Sequence, residues 1–215
     1  EQHLNCLGRI EHEIDQMSLC FKFILMHIEV QQMNNGGKMG TSVFLSYPNA
    51  YTQCQLDFIS ALSCYLTERG YSPRTLGVTD YDLDAPLKSI RRLMSESNGL
   101  ITVAFRRYYV EQGAAKPGSS SEFDISQQWF TSPYSQIEPA MAFQLGLPVL
   151  ILRESRVIAD GILDKGVLGT YMPEFHLGSS CEQYLHSREF NQLIRKWESQ
   201  VERVVENRGN PPVLY

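Results

Sequence analysis

Short apolar runs alternate with amphipathic segments along most of the chain, from Thr41 to Asn207. The apolar runs are bounded by glycine, proline or polar clusters, which is typical of buried strands. The segments between them place apolar side chains three and four positions apart, which predicts helices with one buried face. Strands are predicted over Ser42–Pro48, Tyr71–Gly77, Gly99–Phe105, Leu147–Glu154 and Tyr171–Phe175, and helices over Gln55–Arg69, from Asp84 onward, after Glu138 and over Ser187–Asn207.

The order of these elements predicts the fold class. Alternating strands and helices require right-handed crossovers, so the strands run parallel and helices cover both faces of the sheet. We therefore predict an α/β fold with a flavodoxin-like parallel sheet. The second strand contains Pro73, which cannot donate a ladder hydrogen bond and which places this strand near an edge. The next helix is predicted to be capped at Asp84, with Pro86 in its first turn.

The first 40 residues follow a different pattern. Apolar side chains recur there every seven residues in two series offset by three, an a/d seam that predicts an amphipathic helix of about 25 residues. The two series are Leu7, Ile14, Phe21 and Ile28, and Ile10, Met17 and Ile24. Such a helix either pairs with another helix or packs on its own domain, and the pattern leaves both open. Because Asn34–Gly40 is a glycine-rich linker, we divide the chain into residues 1–40 and a domain of residues 41–215.

One long segment, Arg106–Thr131, matches neither the helical nor the strand pattern. It contains the stretch GAAKPGSSSE, whose small and polar residues supply little that can pack into a core. We predict that this segment is a surface insertion.

Composition and charge exclude several classes of partner. The net charge is −5 at pH 7 and no basic run is longer than two residues, so neither nucleic acid nor an anionic membrane is an expected partner. The longest apolar run, around Phe23–Met26, is too short to span a bilayer. Five cysteines without a C-x-x-C motif predict reduced thiols in a cytoplasmic protein. The histidines lack metal-ligand spacing, so no metal and no cofactor are expected.

The stretch WFTSPYSQIEPAMA, Trp129–Ala142, places a glutamate directly before a proline. Proline has no N–H and disfavours the α region for the residue before it. Pro139 is therefore predicted in the first turn of a helix, with Glu138 at or just before the helix N-terminus. A carboxylate at that position either caps the helix or faces a ligand.

A flavodoxin-like sheet binds ligands beyond the carboxyl ends of its strands, between the first and third strands. The first predicted strand ends in Ser46 and Tyr47, and the third ends in Phe105 and Arg106. Glu138 introduces the helix that leads to the fourth strand, so we expect it at the same crevice. A single carboxylate there favours cleavage at a ribose through an oxocarbenium-like state, because a leaving group such as nicotinamide departs without a general acid.

Two motifs carry a family resemblance. VFLSYP resembles the opening strand and loop of TIR domains, and S-P-Y-S-Q-I-E, Ser132–Glu138, is similar to the TIR pattern Ser, any, Trp, Cys, two any, Glu. Tyr134 stands at the Trp position and Ser135 at the Cys position, and a proline follows the glutamate; these are departures from the pattern. The likeness covers about Thr41–Phe175. Nucleoside deoxyribosyltransferases share this architecture and a catalytic glutamate.

The resemblance to TIR domains implies a function. It implies an NAD+ glycohydrolase with Glu138 as the catalytic residue and NAD+ as substrate rather than cofactor. Substrate contacts are expected from Ser46, Tyr47, Phe105, Arg106, Tyr134 and Ser135, with the Gly77–Asp84 loop as a lid or an assembly contact. It further implies a homo-oligomer formed through the N-terminal helix and TIR–TIR contacts, an upstream sensor or nucleotide signal, and a role in anti-phage defence. The alternatives are a scaffold without chemistry, a nucleotide-sensing module and a deoxyribosyltransferase-like enzyme.

Overall fold

The computed structural model describes residues 40–168, 173–177, 181–207 and 209–210. The predicted N-terminal helix, its role in self-association and nearly all of the predicted linker lie outside these residues. The strands are β1 (Thr41–Ser46), β2 (Tyr71–Arg74), β3 (Leu100–Ala104), β4 (Tyr108–Val110), β5 (Ala114–Ala115), β6 (Phe123–Asp124), β7 (Gln128–Phe130), β8 (Val149–Glu154) and β9 (Glu174–Phe175). The α-helices are α1 (Gln53–Glu68), α2 (Pro86–Ser95), α3 (Tyr134–Gln144), α4 (Cys181–Leu185) and α5 (Arg188–Glu206), and a 3₁₀ turn spans Gly161–Leu163.

Five of the strands form the central sheet, in the order β2-β1-β3-β8-β9. All four neighbouring pairs are parallel. This order and direction confirm the predicted α/β, flavodoxin-like fold, with the reversal of strand order between β1 and β3. The strand with Pro73 lies at one edge, as its missing N–H predicts. The short β9 forms the other edge.

A separate core covers each face of the sheet. On one face, α1, α4 and α5 bury aromatic and branched side chains, among them Phe58, Leu62, Phe190 and Trp197. On the other face, α2 and α3 pack Ile90, Leu93 and Ala142 against Phe44 and Leu100 of the sheet. The sheet is therefore covered on both sides, and only the ends of its strands can meet a ligand.

The amino-terminal end of β3 packs closely against α5. The indole Nε1 of Trp197 donates to the carbonyl oxygens of Leu100 and Pro148 at 3.1 and 3.2 Å. Gly99, which precedes β3, lies so close to α5 that a Cβ atom there would stand 2.7 Å from Cγ2 of Val201. Glycine is required at this position because the helix lies directly against the backbone.

The predicted surface insertion contains two small antiparallel ribbons. β4 pairs with β7, and β5 pairs with β6. Most of its residues are exposed, as expected, but the small and polar stretch is a hairpin with its own hydrogen bonds rather than structureless chain. The amide of Gly118 donates to the Glu122 carboxylate at 2.7 Å near its tip.

Helix α2 begins differently from the prediction. Pro86 is in its first turn, but the N-cap is Ala85 and no side chain caps the helix. Asp84 is not the cap; its carboxylate instead lies 3.9 Å from Nζ of Lys88. In the described part of the chain, no helix combines the length and the apolar character needed to cross a membrane.

Candidate active site

Helix α3 starts one turn earlier than predicted. Pro133 is its N-cap, and Oγ of Ser132 accepts a hydrogen bond from the amide of Tyr134 at 3.2 Å. Glu138 is therefore in the second turn rather than at the helix N-terminus, and Pro139 is inside the helix. The prediction was wrong because Pro133 supplies the start that was assigned to Pro139. The second proline has no N–H for the carbonyl of Ser135, and its burial against the domain outweighs that loss.

The phase of α3 turns Glu138 toward the sheet. Ser135, Glu138 and Ala142 follow one another at spacings of three and four residues and are all buried. Ala142 packs in the core that α2 and α3 form over the sheet. Glu138 is held on the same face, one turn nearer to the helix start, which places it over the carboxyl end of β1.

Glu138 and Ser46 form the centre of the site. The hydroxyl of Ser46, the last residue of β1, donates to Oε2 of Glu138. The glutamate is 8% exposed and the serine 3%. Burial raises the pKa of Glu138 to about 7, and the hydrogen bond from Ser46 offsets only part of that rise. The raised pKa brings the titration of this carboxyl group close to neutral pH.

Tyr47 continues the same strand end. Its ring is partly buried against the core on the α1 face. Burial raises the pKa of its phenol, and a hydrogen bond with Thr75 acts in the opposite direction. The hydroxyl of Thr75 in turn donates to the carbonyl of Leu45 at 2.8 Å, which ties the loop after β2 to β1 beside the site.

Phe105 lies in the core. Its ring is 1% exposed and packs edge-on against Phe58 and Phe175, with ring centroids 6.0 Å from each. The residue follows β3 as predicted, but its side chain points to the α1 face, whereas Glu138 lies on the face covered by α2 and α3. Its part in the structure is to anchor the strand end, and it offers no open surface to a ligand.

Arg106 belongs to a buried polar network at the end of β8. Its guanidinium donates from Nε to the carbonyl of Ser155 at 2.7 Å and lies 3.4 Å from Oε1 of Glu154. Its amide donates to Oε2 of Glu154 at 2.8 Å, and Nε2 of Gln55 donates to the same oxygen at 3.4 Å. This network connects α1, the loop after β3 and the end of β8.

The two remaining predicted contacts lie on the first turn of α3. Ser135 is 1% exposed, and its hydroxyl lies 3.1 Å from that of Thr131. Tyr134 is 40% exposed and offers its ring to solvent. Arg107, the second arginine after β3, is exposed and stacks over Tyr108 at 5.5 Å.

The acidic residues in the loop after β2 are paired with arginines. Asp80 accepts hydrogen bonds from Arg74, and Asp82 accepts one from Arg92 at 3.0 Å. Burial acts to raise the pKa of Asp80, but the hydrogen bonds from Arg74 outweigh it and the pKa is lowered. The pKa of Asp82 is lowered chiefly by the backbone amide of Asp84 and further by Arg92. Among the residues that the structure describes, no group of three acidic, histidine or cysteine side chains has the arrangement of a metal site.

Sequence reasoning missed two polar residues near the crevice. Glu154 was assigned only to a strand, although a charged residue at the end of an otherwise apolar run is a signal of a buried ion pair. Thr102 was hidden inside the apolar run of β3, yet the register pairs it with Ser46 on the same face of the sheet. A hydroxyl within a strand of four apolar residues was the available signal.

The comparisons with known proteins give a fold likeness only. The sequence matches no family model, and it matches none of the curated proteins with which it was compared. Among solved structures, the chain is similar to the CMP N-glycosidase of Clostridium botulinum, at 16% identity and a TM-score of 0.44, over 70% of this chain and 99% of that one. It is also similar to a flavoenzyme NAD(P)H:acceptor oxidoreductase of Paracoccus denitrificans, at 10% identity and a TM-score of 0.31, over 78% and 96% of the two chains. Likenesses at these scores carry no argument about the reaction.

Proposed function

We propose that the chain cleaves the N-glycosidic bond of NAD+, with Glu138 as the catalytic carboxylate. The observation that carries the proposal is one buried carboxyl group at the point of the parallel sheet where strand order reverses. In the described residues it is held by the hydroxyl of Ser46, and no positively charged side chain contributes to the shift of its pKa. Structural carboxylates in this domain are paired with arginine, as Asp80, Glu154 and Glu198 are. An unpaired buried carboxylate is what a developing positive charge on a substrate requires.

The chemistry needs little else from the protein. Nicotinamide in NAD+ carries a positive charge, so breaking the bond from C1′ to the ring nitrogen sends the electron pair to that nitrogen and releases a neutral base. The ionised Glu138 stabilises the oxocarbenium-like ribose that remains. Water then adds to C1′ and loses a proton, which yields ADP-ribose. Because Ser46 donates to Oε2, it orients the carboxylate toward the crevice.

The raised pKa of Glu138 also favours a second substrate class. A carboxyl group with a pKa of about 7 is half protonated at neutral pH, and the protonated form is a general acid for a neutral leaving base, as in a nucleoside or a deoxyribosyltransferase-like reaction. The two substrates require opposite protonation states. Cleavage of NAD+ rises with pH through the pKa of Glu138, whereas acid-assisted cleavage of a nucleoside falls.

Regulation by self-association is the second part of the proposal. A site that is completed by a neighbouring copy stays inactive until chains are brought together. The exposed Tyr81 and Leu83 of the Gly77–Asp84 loop, 80% and 107% exposed, are suited to such a contact. An upstream sensor and a role in anti-phage defence, in the cytoplasm, follow from the TIR resemblance and are proposed on that basis.

The deciding experiment compares nicotinamide release by the wild type and by Glu138→Gln. The amide keeps the shape of the side chain and removes its charge, so we expect a loss of at least about 100-fold, or roughly 2.7 kcal/mol of transition-state stabilisation. Glu202→Gln is the matched control, since Glu202 is exposed and lies beside Thr41 at the opposite end of β1. The assay is run at low protein concentration and with the chain clustered on a support.

Three results would contradict the proposal. Equal rates for the wild type and Glu138→Gln would mean that another acid carries the reaction. If the protein bound NAD+ but released no nicotinamide, whether dilute or clustered, the result would favour the nucleotide-sensing module. No release and no binding, with self-association intact, would favour the scaffold.

A further inference from the structure

Thr102 is a polar residue at a place where the fold offers it no partner. It lies in the middle of β3, between Ile101 and Val103, and is 0% exposed. Its Oγ1 has no hydrogen-bond partner among the residues that the structure describes. A buried hydroxyl without a partner destabilises the folded state, whereas valine has the same shape without that penalty. The hydroxyl therefore needs an explanation other than packing.

The register of the sheet places this hydroxyl beside the candidate site. Ser46 of β1 and Thr102 of β3 are direct partners across the parallel pair, so their side chains leave the same face of the sheet. On that face Ser46 donates to Glu138 of α3. The other β1–β3 pair on this face, Phe44 and Leu100, is apolar and lies in the core. A row of three polar side chains thus runs from β3 through β1 to the carboxylate.

We propose that Thr102 is a positioning residue for Glu138 and acts through Ser46. A serine hydroxyl has one hydrogen and two lone pairs, and Ser46 uses its hydrogen on Glu138. Neighbouring strands lie about 4.8 Å apart, so a change of the Thr102 rotamer brings its hydroxyl within reach of Oγ of Ser46. When Glu138 is ionised, the hydroxyl of Thr102 turns to donate to Oγ of Ser46. The resulting chain of hydrogen bonds strengthens the donation from Ser46 to the carboxylate and fixes its direction.

Other charged groups do not take this role. Of the elements packed against α3, β3 carries no ionisable side chain, and Arg153 of β8 is engaged by the carbonyl of Val157 and by Glu174. The charged residues of α2 are Lys88, Arg91 and Arg92, and all three are exposed. Asp160, before the 3₁₀ turn, bonds to α3 through its carbonyl, which accepts from Gln136 at 2.8 Å. Among the residues that the structure describes, only Ser46 bonds to the Glu138 carboxylate, so its support decides how the carboxylate behaves.

The test uses three substitutions at one position. Thr102→Ser keeps the hydroxyl, whereas Thr102→Val and Thr102→Ala remove it, the first with the same volume and the second with a cavity. The titration of Glu138 is followed by NMR in protein carrying a ¹³C label at the glutamate carboxyl carbon, and its signal is assigned by its loss in Glu138→Gln. Melting temperature and the pH dependence of nicotinamide release are measured on the same samples.

We expect Thr102→Val to raise the melting temperature at pH 5 by about 2–4 °C, because Glu138 is protonated there and the hydroxyl of Thr102 has no partner to lose. The same variant should raise the pKa of Glu138 by about 0.5 to 1 and lower nicotinamide release at pH 7 by roughly 2- to 5-fold. Thr102→Ser should leave the titration of Glu138 within about 0.2 of the wild type and retain most of the rate. Should Thr102→Val fail to fold, Thr102→Ala against Thr102→Ser still isolates the hydroxyl.

An unchanged titration of Glu138 in the variants without a hydroxyl would overturn the inference, and Thr102 would then be only a poor fit to the core. The effect on rate rests on the proposed function, but the titration does not. If the wild type released no nicotinamide while the titration moved as expected, the reaction would be wrong and the role of Thr102 would stand. If the wild type released nicotinamide but the titration of Glu138 did not move, the proposed reaction would stand and the role of Thr102 would be wrong.

Discussion

Glu138 and Glu154 are both buried glutamates at the carboxyl edge of the same sheet, and they differ in what surrounds them. Glu154, on the α1 face, receives the amide of Arg106, its guanidinium and the amide group of Gln55. Glu138, on the face covered by α2 and α3, has the single hydroxyl of Ser46. Burial raises the pKa of both carboxyl groups, but only for Glu154 do a backbone hydrogen bond and a positive charge act against it.

The proposed function rests on this difference: Glu154 is a structural carboxylate, and Glu138 is the one that we propose as reactive. The charge of Glu154 is already used inside the protein, where it holds three segments together. The charge of Glu138 has no such use, so it remains for a cation that arrives from outside. Two side chains of the same type, both less than a tenth exposed, are thereby suited to opposite tasks.

The pH dependence of the reaction is the strongest test of this contrast. If ionised Glu138 is the active form, kcat/KM for NAD+ should follow its titration, with a midpoint near pH 7 and a fall of about tenfold from pH 8 to pH 6. Rates measured across that range with a buffer series of constant ionic strength give the profile. A flat profile, or one that rises toward low pH, would exclude the ionised carboxylate as the active form.

Removing one hydroxyl next to Glu138 and one from the Arg106–Glu154 network should have unequal effects on nicotinamide release and on its pH midpoint. Ser46→Ala deletes the one donor to the Glu138 carboxylate in the described part of the chain, so we expect about a 5-fold loss of nicotinamide release at pH 7 and a midpoint shifted to higher pH. Ser155→Ala is the matched variant, because Oγ of Ser155 accepts from Arg106 at 2.8 Å and the residue is equally buried. It should leave the midpoint in place. Equal shifts in both variants would remove the distinction between the networks.

The smallest expected effect is on stability, and substitution by glutamine should change it in opposite directions at the two glutamates. A carboxyl group with a raised pKa binds more protons in the folded than in the unfolded chain between about pH 4.5 and 7, so its contribution to stability decreases as the pH rises through that window. Glu138→Gln should therefore stabilise the protein at pH 8, by roughly 1 kcal/mol or about 2–4 °C, and not at pH 4.

Glu154→Gln should instead destabilise the protein at pH 8 by roughly 1 kcal/mol, because it removes the ion pair with Arg106 and sets an amide N–H against the guanidinium. Thermal unfolding of both variants at pH 4 and pH 8 supplies the comparison. A loss of stability at pH 8 for Glu138→Gln would show that its charge is compensated in the folded protein after all.

The sheet could be predicted from the chain because strands and helices follow hydrophobic periodicity, which is local. Pro73 predicted an edge strand, the apolar run of β3 predicted a buried strand, and the long apolar stripe of α5 predicted a helix packed on the sheet. The start of α3 could not be predicted as well, since two prolines, Pro133 and Pro139, compete for the same role and only packing on the sheet decides between them. Local preference favoured the later one, and burial of Pro139 favoured the earlier start.

The candidate site was predicted in part for a similar reason. Ser46 and Glu138 come from segments whose ends the topology brings together, so the order of the strands was enough to place them at one crevice. The direction of each side chain depends on strand phase and on pairing across the sheet. Phe105 follows β3 as expected but faces the core, and Arg106 is held by Glu154, a partner nearly 50 positions away in sequence. Pairings of that kind leave no local pattern.

The close packing at the start of β3 has a consequence for how such a site can change. Trp197 donates to the backbone at the starts of β3 and β8, and a side chain at position 99 would force Val201 or its helix to move. The opposite end of the sheet carries groups that are unfavourable for folding, such as a buried carboxyl. Since the two ends share strands but few side chains, substitutions at the carboxyl end can alter reactivity while the packing at the start of β3 keeps the architecture intact.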